Sequence, residues 1–226
     1  MKVAKFGLLV LVAILGFALL GSSPASAFIY PTPTDTITLT QGLGGAHGGG
    51  EFNVAINGSG NVDFITFCLE GNEEIFLNHP YLVGAIADVS ILGGVGVSGG
   101  GFSPDGVLGV SDPLDPRTAF LYTAFTNGTL AGFNYSSATD ANDLQAAIWF
   151  IEDEPFGANN NWVTLANAAA WTNLGDVGVI NPINDDGKPA QSVLTRTPVP
   201  EPSMMLLFGS GMLGLAFAAR KRFFKK

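Results

Sequence analysis

The chain has 226 residues, of which 47% are hydrophobic and 13% charged, and its formal net charge is −9. Residues 28–198 contain 3 basic and 18 acidic residues, so this region has a net charge of −15. A surface this acidic repels a nucleic-acid backbone, which excludes nucleic acid as an expected partner. The low charge content and the many glycine and aromatic residues are unlike a disordered chain and suit one domain of about 170 residues.

The first 27 residues have the layout of a secretory signal peptide. Two lysines precede an apolar region from residue 6 to residue 20, and Ala25-Ser26-Ala27 follows as a small-residue cleavage site. We expect signal peptidase to cut between Ala27 and Phe28. An uncleaved anchor is the alternative, which the short apolar region disfavours. The chain is therefore expected to be exported.

Strand patterns come first in residues 28–198. Apolar and polar residues alternate over residues 36–40, 52–56 and 62–69, which predicts three half-buried strands, the last two joined as a hairpin. Weaker strand patterns cover residues 81–83 and 85–91. The glycine-rich stretch of residues 42–50 lacks the Lys and Ser/Thr of a phosphate-binding loop and is predicted to be a flexible turn.

Helical spacing begins after residue 113. Asp115-Pro116 predicts the start of a first helix, and Thr139 or Asp140 caps a second that Pro155 ends. A third helix is predicted over residues 162–171, and a last strand over residues 190–195. Strands followed by helices and a final strand predict an α+β fold with an antiparallel sheet.

Cys68 is the only cysteine, so an internal disulfide is excluded. A free thiol is unusual in an exported protein because oxidising conditions favour disulfides. One interpretation is a buried cysteine that packs as a small hydrophobic residue. The others are an intermolecular disulfide and a bond to a different side chain. In the last case the thiolate attacks the carboxamide of Gln145, on the second predicted helix, and releases ammonia to leave a thioester. That reaction requires that the fold hold the two side chains together and away from water.

Two short blocks, residues 67–69 and 144–149, resemble the bacterial thioester domains of surface adhesins. The resemblance implies that Cys68 and Gln145 are the bonded pair, and that the thioester captures amines or other nucleophiles on a target surface. It also implies that five hydrophobic residues shield the bond: Phe67, Leu69, Leu144, Ile148 and Trp149. A Gln145 side chain that faces solvent on an amphipathic helix is the alternative.

The sequence gives little support to metal binding or to hydrolytic chemistry. His47 and His79 are isolated, so no metal site is predicted and no cofactor is expected. The acidic runs at residues 152–154 and 185–186 suit calcium, but they lack EF-hand spacing and are interpreted as solvated acidic faces. No Ser-His-Asp set can be assembled from motifs, so the chain is not expected to be an enzyme. The many carboxylates leave glycoside hydrolysis open as an alternative.

The end of the chain has three parts. Val199-Pro200-Glu201-Pro202 comes first, residues 203–219 form an uncharged apolar run, and residues 220–226 carry five Lys and Arg residues. The run approaches the length of a membrane-spanning helix, about 17–25 residues. The basic end is expected to stay in the cytoplasm, so residues 28–198 are expected on the opposite side of the membrane.

This order resembles the PEP-CTERM sorting domain of Gram-negative bacteria. The resemblance implies that an exosortase, a membrane protease-transpeptidase, recognises and processes residues 199–226. The protein is then anchored in the inner membrane in transit, with residues 28–198 in the periplasm. Its expected destination is the cell surface or the extracellular matrix.

The expected function combines the two resemblances. A sorted surface protein would bond through a Cys68–Gln145 thioester to an amine or hydroxyl on an extracellular polymer or a neighbouring cell. A structural component of biofilm or matrix, in which Cys68 is inert core, is the alternative from another class. A secreted glycan-binding or glycan-cleaving domain is the third.

Overall fold

The computed structural model describes residues 30–71, 73–91, 112–198 and Ser210. Within these residues the chain forms eight strands and three α-helices. The strands are β1 (Thr36–Gln41), β2 (Phe52–Ile56), β3 (Phe64–Thr66), β4 (Pro80–Ala87), β5 (Val89–Ser90), β6 (Asp112–Pro113), β7 (Val177–Ile183) and β8 (Val193–Arg196). The helices are α1 (Pro116–Thr126), α2 (Ala138–Ile151) and α3 (Asn161–Ala169), and a short 3-10 helix (Ala46–Gly48) precedes β2.

Six strands form one sheet in the order β3-β2-β1-β4-β7-β8, and each neighbouring pair is antiparallel. The chain after β3 continues to the opposite edge. Residues 67–69 pair with residues 192–194 through two backbone hydrogen bonds of 2.9 and 3.1 Å. Cys68 lies opposite Val193 in this pairing. The two edges therefore meet along a seam, formed by residues 67–69 and 192–194, and the sheet closes on itself.

The core has two parts. An inner cluster receives side chains from all six strands of the closed sheet, among them Ile37, Val54 and Tyr81. An outer cluster lies between the sheet and the three helices. Neighbouring residues of a strand point to opposite faces. Cys68 accordingly belongs to the inner cluster, while Phe67 and Leu69 on either side of it belong to the outer one.

Each helix begins at a polar side chain that caps its first turn. Asp115 accepts a hydrogen bond from the Arg117 N–H at 2.7 Å, and Pro116 occupies the first turn of α1. Ser137 and Asn160 cap α2 and α3 in the same way. Such caps stabilise a helix by about 1 kcal/mol each. They also set the start of α2, which places Gln145 in its middle.

The structure confirms the predicted order, in which strands are followed by helices and then by a last strand. It also confirms that the sheet is antiparallel. The start of α1 at Asp115 is also confirmed. Three details are wrong: Ser137 rather than Thr139 or Asp140 caps α2, that helix ends at Ile151 well before Pro155, and the sequence pattern does not predict β7.

The signal peptide lies outside the described residues. The predicted membrane span at residues 203–219 does too, except for Ser210, which is helical. In the part of the chain that the structure describes, no helix combines the length and apolar character needed to cross a membrane.

Candidate functional site

Cys68 and Gln145 lie in contact although 77 residues separate them. The Cys68 N–H donates to Gln145 Oε1 at 2.9 Å, and Gln145 Nε2 donates to the Cys68 carbonyl oxygen at 2.9 Å. The carboxamide therefore pairs with the Cys68 backbone as a neighbouring strand would. Both residues are fully buried, so the solvent-facing alternative for Gln145 is wrong.

A second backbone group reaches the same carboxamide oxygen. The Gly50 N–H donates to Gln145 Oε1 at 3.1 Å. Two N–H donors on one carboxamide oxygen stabilise the negative charge that develops there when a nucleophile adds to the carbonyl carbon. The arrangement is thus suited to nucleophilic attack on Gln145.

Gly49 brings the glycine-rich stretch against this pair. A Cβ atom at Gly49 would lie 2.4 Å from Trp149 Cη2 and 3.4 Å from Gln145 Cδ, so only glycine allows the approach. The prediction of a flexible turn for residues 42–50 gives no role to Gly49 and Gly50, which contact Trp149 and Gln145. A run of glycines next to a strand is itself a signal of close backbone approach.

The five residues predicted to shield the pair are all buried, but they lie on two sides of the sheet. Trp149 shares the inner cluster with Cys68. The other four belong to the outer cluster, between the sheet and the helices: Phe67, Leu69, Leu144 and Ile148. These four hold the seam and α2 in place, whereas Trp149 and Gly49 cover the pair itself.

Burial raises the pKa of the Cys68 thiol well above its ordinary value. The Gly50 backbone lowers the pKa of the thiol and so opposes this shift, whereas the charge of Glu70 raises it further. At neutral pH the thiol is therefore protonated. Because the thiolate is the nucleophile, attack on Gln145 requires that the thiol lose its proton, which burial disfavours.

Several carboxylates are also buried. Glu152 and Glu154 are each 6% exposed, so the predicted solvated acidic face is wrong at both positions, although Asp153 between them is exposed. Burial raises the pKa of Glu152 to about 8. At residues 185–186 the solvated face is confirmed, with side chains that are 85% and 55% exposed.

Glu154 belongs to a cluster with Glu70 and Asp112. One carboxylate oxygen from each residue lies within 4.8 Å of the others. Burial, followed by the mutual repulsion of Glu70 and Glu154, raises the pKa of Glu70, and burial also raises that of Glu154. The sequence separates these three residues widely, so no spacing motif indicates the cluster.

Two cavities in the described part of the chain are relevant to binding. One of about 290 Å³ has Gly49, Trp149 and Glu73 in its walls, and neither Cys68 nor Gln145 lines it. Another of about 500 Å³ lies between α2 and α3 and is lined by Asp140, Asp143, Asn160, Asn161, Trp162 and Leu165, with the nearby loop.

The histidines lie apart from the pair. His47 is exposed and stacks on Phe156 with ring centroids 4.7 Å apart. His79 is partly exposed, and its Nε2 lies 3.6 Å from the Asp185 carboxylate. Neither belongs to a group of three metal-ligand side chains among the described residues.

Comparison with known families identifies the end of the chain. Residues 198–222 match a family described as the PEP-CTERM protein-sorting motif. No curated protein and no solved structure matches the chain. The matched residues include Val199, Pro200, Glu201 and Pro202, which the sequence pattern assigns to the same motif. The motif implies an exported protein that is anchored at the membrane in transit and is processed by an exosortase.

Proposed function

We propose that Cys68 and Gln145 form an internal thioester, with which the exported protein attaches covalently to an amine or hydroxyl on an extracellular polymer or a neighbouring surface. One observation carries the proposal. The Gln145 carboxamide makes three hydrogen bonds, two with the Cys68 backbone and one with the Gly50 N–H, and it shares a buried site with the Cys68 side chain.

The reaction balances without a co-reactant. A bond forms between Cys68 Sγ and Gln145 Cδ, the bond between Cδ and Nε2 breaks, and the thiol proton leaves with the nitrogen as ammonia. Reactants and products are neutral, so the overall reaction changes no charge in the buried site. The N–H groups of Cys68 and Gly50 stabilise the oxyanion between them.

The cavity of about 290 Å³ is lined by Gly49 and Trp149, so an incoming nucleophile held there would reach the thioester when these two residues move apart. An amine that adds to the carbonyl carbon releases the Cys68 thiol and leaves an amide bond to the Gln145 side chain. Burial raises the pKa of Glu73, in the wall of this cavity, to about 7. A carboxylate with such a pKa is suited to take a proton from the amine at neutral pH.

The test is a mass measurement on the purified full chain. We expect a mass about 17 Da below that of the same processed sequence with a free Gln145, because thioester formation releases ammonia. Cys68 should resist thiol reagents in denaturant until methylamine is added. Cys68→Ala and Gln145→Glu should each abolish the mass deficit.

Gln191→Met is the matched control, since Gln191 is also a buried glutamine but bonds to Glu70 instead of Cys68. This variant should keep the deficit. A full mass together with a freely labelled Cys68 would contradict the thioester. The structural role in biofilm or matrix, with Cys68 as inert core, would then be the better account.

Glycan binding is a second candidate, favoured by the cavity of about 500 Å³. Its lining combines the Trp162 ring with the polar side chains of Asp140, Asp143 and Asn161. Aromatic faces and hydrogen-bonding groups together are what a polar ligand with apolar faces requires. Retention on a polysaccharide column that is lost in Trp162→Ala, but kept in Gln145→Glu, would favour this candidate.

A further inference from the structure

Aromatic side chains gather around the cavity of about 290 Å³. His47 and Phe76 line it, and both are exposed, Phe76 by 62%. The Phe156 ring, which is 52% exposed, stacks on His47 with centroids 4.7 Å apart, and its centroid lies 6.0 Å from that of buried Trp149 in the cavity wall. Single exposed aromatic rings are ordinary, but a cluster of them marks a binding site.

The backbone beside this cavity is strained. His47 has a φ of +52° and Phe156 a φ of +67°, in the left-handed region that residues with a side chain rarely adopt. Each such conformation costs about 1–3 kcal/mol. Burial does not offset this cost, because both side chains are exposed. Strain of this kind concentrates at ligand-binding sites, so the arrangement of the two rings suits binding better than stability.

The cavity is also acidic. Glu73 and Glu74 line it, and none of the described residues in its walls is Lys or Arg. Burial raises the pKa of Glu73 to about 7, the Ser192 backbone opposes this rise, and the charge of Glu154 adds to it. The net charge of −15 on residues 28–198 attracts cations from a distance. A cation bound beside Glu73 would favour its ionised form.

We propose that this cavity binds an alkylammonium ion, with the charge beside Glu73 and Glu74 and the alkyl stem against the aromatic rings. Ammonium groups are attracted to the faces of aromatic rings, and they donate strong hydrogen bonds to carboxylates. The Ile75 and Phe76 side chains in the walls give the stem an apolar contact.

The inference deepens the proposed function, because it makes the captured group an amine instead of a hydroxyl. Gly49 and Trp149 belong to the walls of this cavity and also cover the Cys68–Gln145 pair. A bound amine therefore lies on the other side of that cover. The binding itself does not require the thioester.

The experiment is a calorimetric titration of the full chain carrying Cys68→Ala, purified in detergent, because this variant shows binding without thioester chemistry. We expect a one-site isotherm with n-butylammonium, and none with n-butanol, its uncharged counterpart. Adding Glu73→Gln or Phe76→Ala should weaken binding about tenfold. Phe150→Ala and Asp185→Asn change an exposed ring and an exposed carboxylate outside the cavity walls, so they should keep the Kd.

The affinity should also depend on pH. The ion favours ionised Glu73, so Kd should fall about tenfold from pH 6 to pH 8, on either side of its pKa of about 7. An alkylammonium group stays protonated over this range. Glu74 and His47 in the walls and Glu154 nearby also face the site. Glu73→Gln leaves these three groups in place and should remove most of the pH dependence.

Three results would overturn the proposal. The first is that n-butylammonium does not bind, or binds no better than n-butanol. The second is a Kd that is unchanged in both Glu73→Gln and Phe76→Ala. The third is tighter binding of glucosamine than of n-butylammonium, which would indicate a glycan amine instead of an alkyl stem. A wild-type mass deficit without n-butylammonium binding would leave the thioester standing, whereas binding without a mass deficit would contradict the thioester alone.

Discussion

At Gly49 the absence of a side chain decides how closely the glycine-rich stretch approaches α2. Ala at this position would push its Cβ into the buried Trp149 ring, which lies 2.4 Å from the required position. A rigid ring in the core cannot move aside without disturbing its neighbours. The contact between the stretch and the Cys68–Gln145 pair therefore depends on glycine here.

Gly49→Ala should lower the free energy of unfolding by about 1–3 kcal/mol, the usual cost of overpacking a core. Urea unfolding of the variant measures the change. Gly45→Ala is the control from the same stretch, because the atom nearest to its Cβ would be Gln41 Nε2 at 3.4 Å, an ordinary contact. Equal stability of the two variants would show that Gly49 does not pack against Trp149 in this way.

The types of residue in the pair were predictable, but their surroundings were not. A lone cysteine in an exported chain and a glutamine on an amphipathic helix are visible in the sequence. The N–H donors of Cys68 and Gly50 are backbone groups, which any residue type except proline provides. These N–H groups point at Gln145 because of the path of the chain in three dimensions, so no residue pattern could indicate the contact.

At the scale of elements, α2 shows why its extent is harder to predict than its existence. The apolar spacing of Leu144, Ile148 and Ile151 indicates the helix. It ends before Glu152, whose buried carboxylate accepts a hydrogen bond from the Asp115 N–H at the start of α1. That contact joins residues far apart in sequence. Local signals such as Pro155 could not reveal it.

Strand β7 was missed for a different reason. Six of its seven residues are buried, because it has the inner cluster on one face and helices on the other. Its side chains therefore do not alternate between apolar and polar. Gly178 and Pro182 within it also disfavour a strand in the sequence pattern. Antiparallel pairing with both β4 and β8 stabilises it nonetheless.

The end of α2 should make stability depend on pH. Burial raises the pKa of Glu152 from 4.5 to about 8. The Thr118 hydroxyl and the Asp115 N–H oppose the shift, the Asp115 and Asp112 carboxylates add to it, and Arg117 is nearby. The folded state binds the proton more tightly than the unfolded state. The stabilisation that protonated Glu152 gives the folded state is therefore complete below pH 4.5 and is lost as pH rises toward 8.

In a buffer that contains a metal chelator, the free energy of unfolding of wild-type protein should fall between about pH 5 and pH 8. Glu152→Gln should make this fall less steep. Urea unfolding at several pH values gives the slope. Asp153→Asn, on the exposed neighbour, should retain the wild-type slope. A slope that is unchanged in Glu152→Gln would refute the assignment.

At the scale of the whole molecule, the sorting motif follows β8 directly. The sequence alone indicates this tail, because its signal is a linear order of motif, apolar run and basic end. The closure of the sheet is the opposite case. It joins residues 67–69 to residues 192–194 across most of the domain, so local patterns indicate the strands and not the seam.

Replacing Pro200-Glu201-Pro202 with alanines should leave the protein uncut at the inner membrane, because the exosortase would no longer recognise the motif. Membrane fractionation followed by mass measurement of the protein detects the uncut chain. Thr197→Ala, just outside the matched residues 198–222, is the control and should be processed normally. Normal processing of the triple variant would argue that recognition lies elsewhere in the tail.

The position of β8 has a mechanical consequence. While the tail is anchored, any pull on the domain enters the fold through Thr197 and Arg196, which both hydrogen bond to Asp176. The pull then runs along β8, and it loads the hydrogen bonds to β7 and those of the seam together, in shear. Cys68 lies on the next segment of that seam. Tension on an anchored tail would thus pass through the strand pairing that holds Cys68.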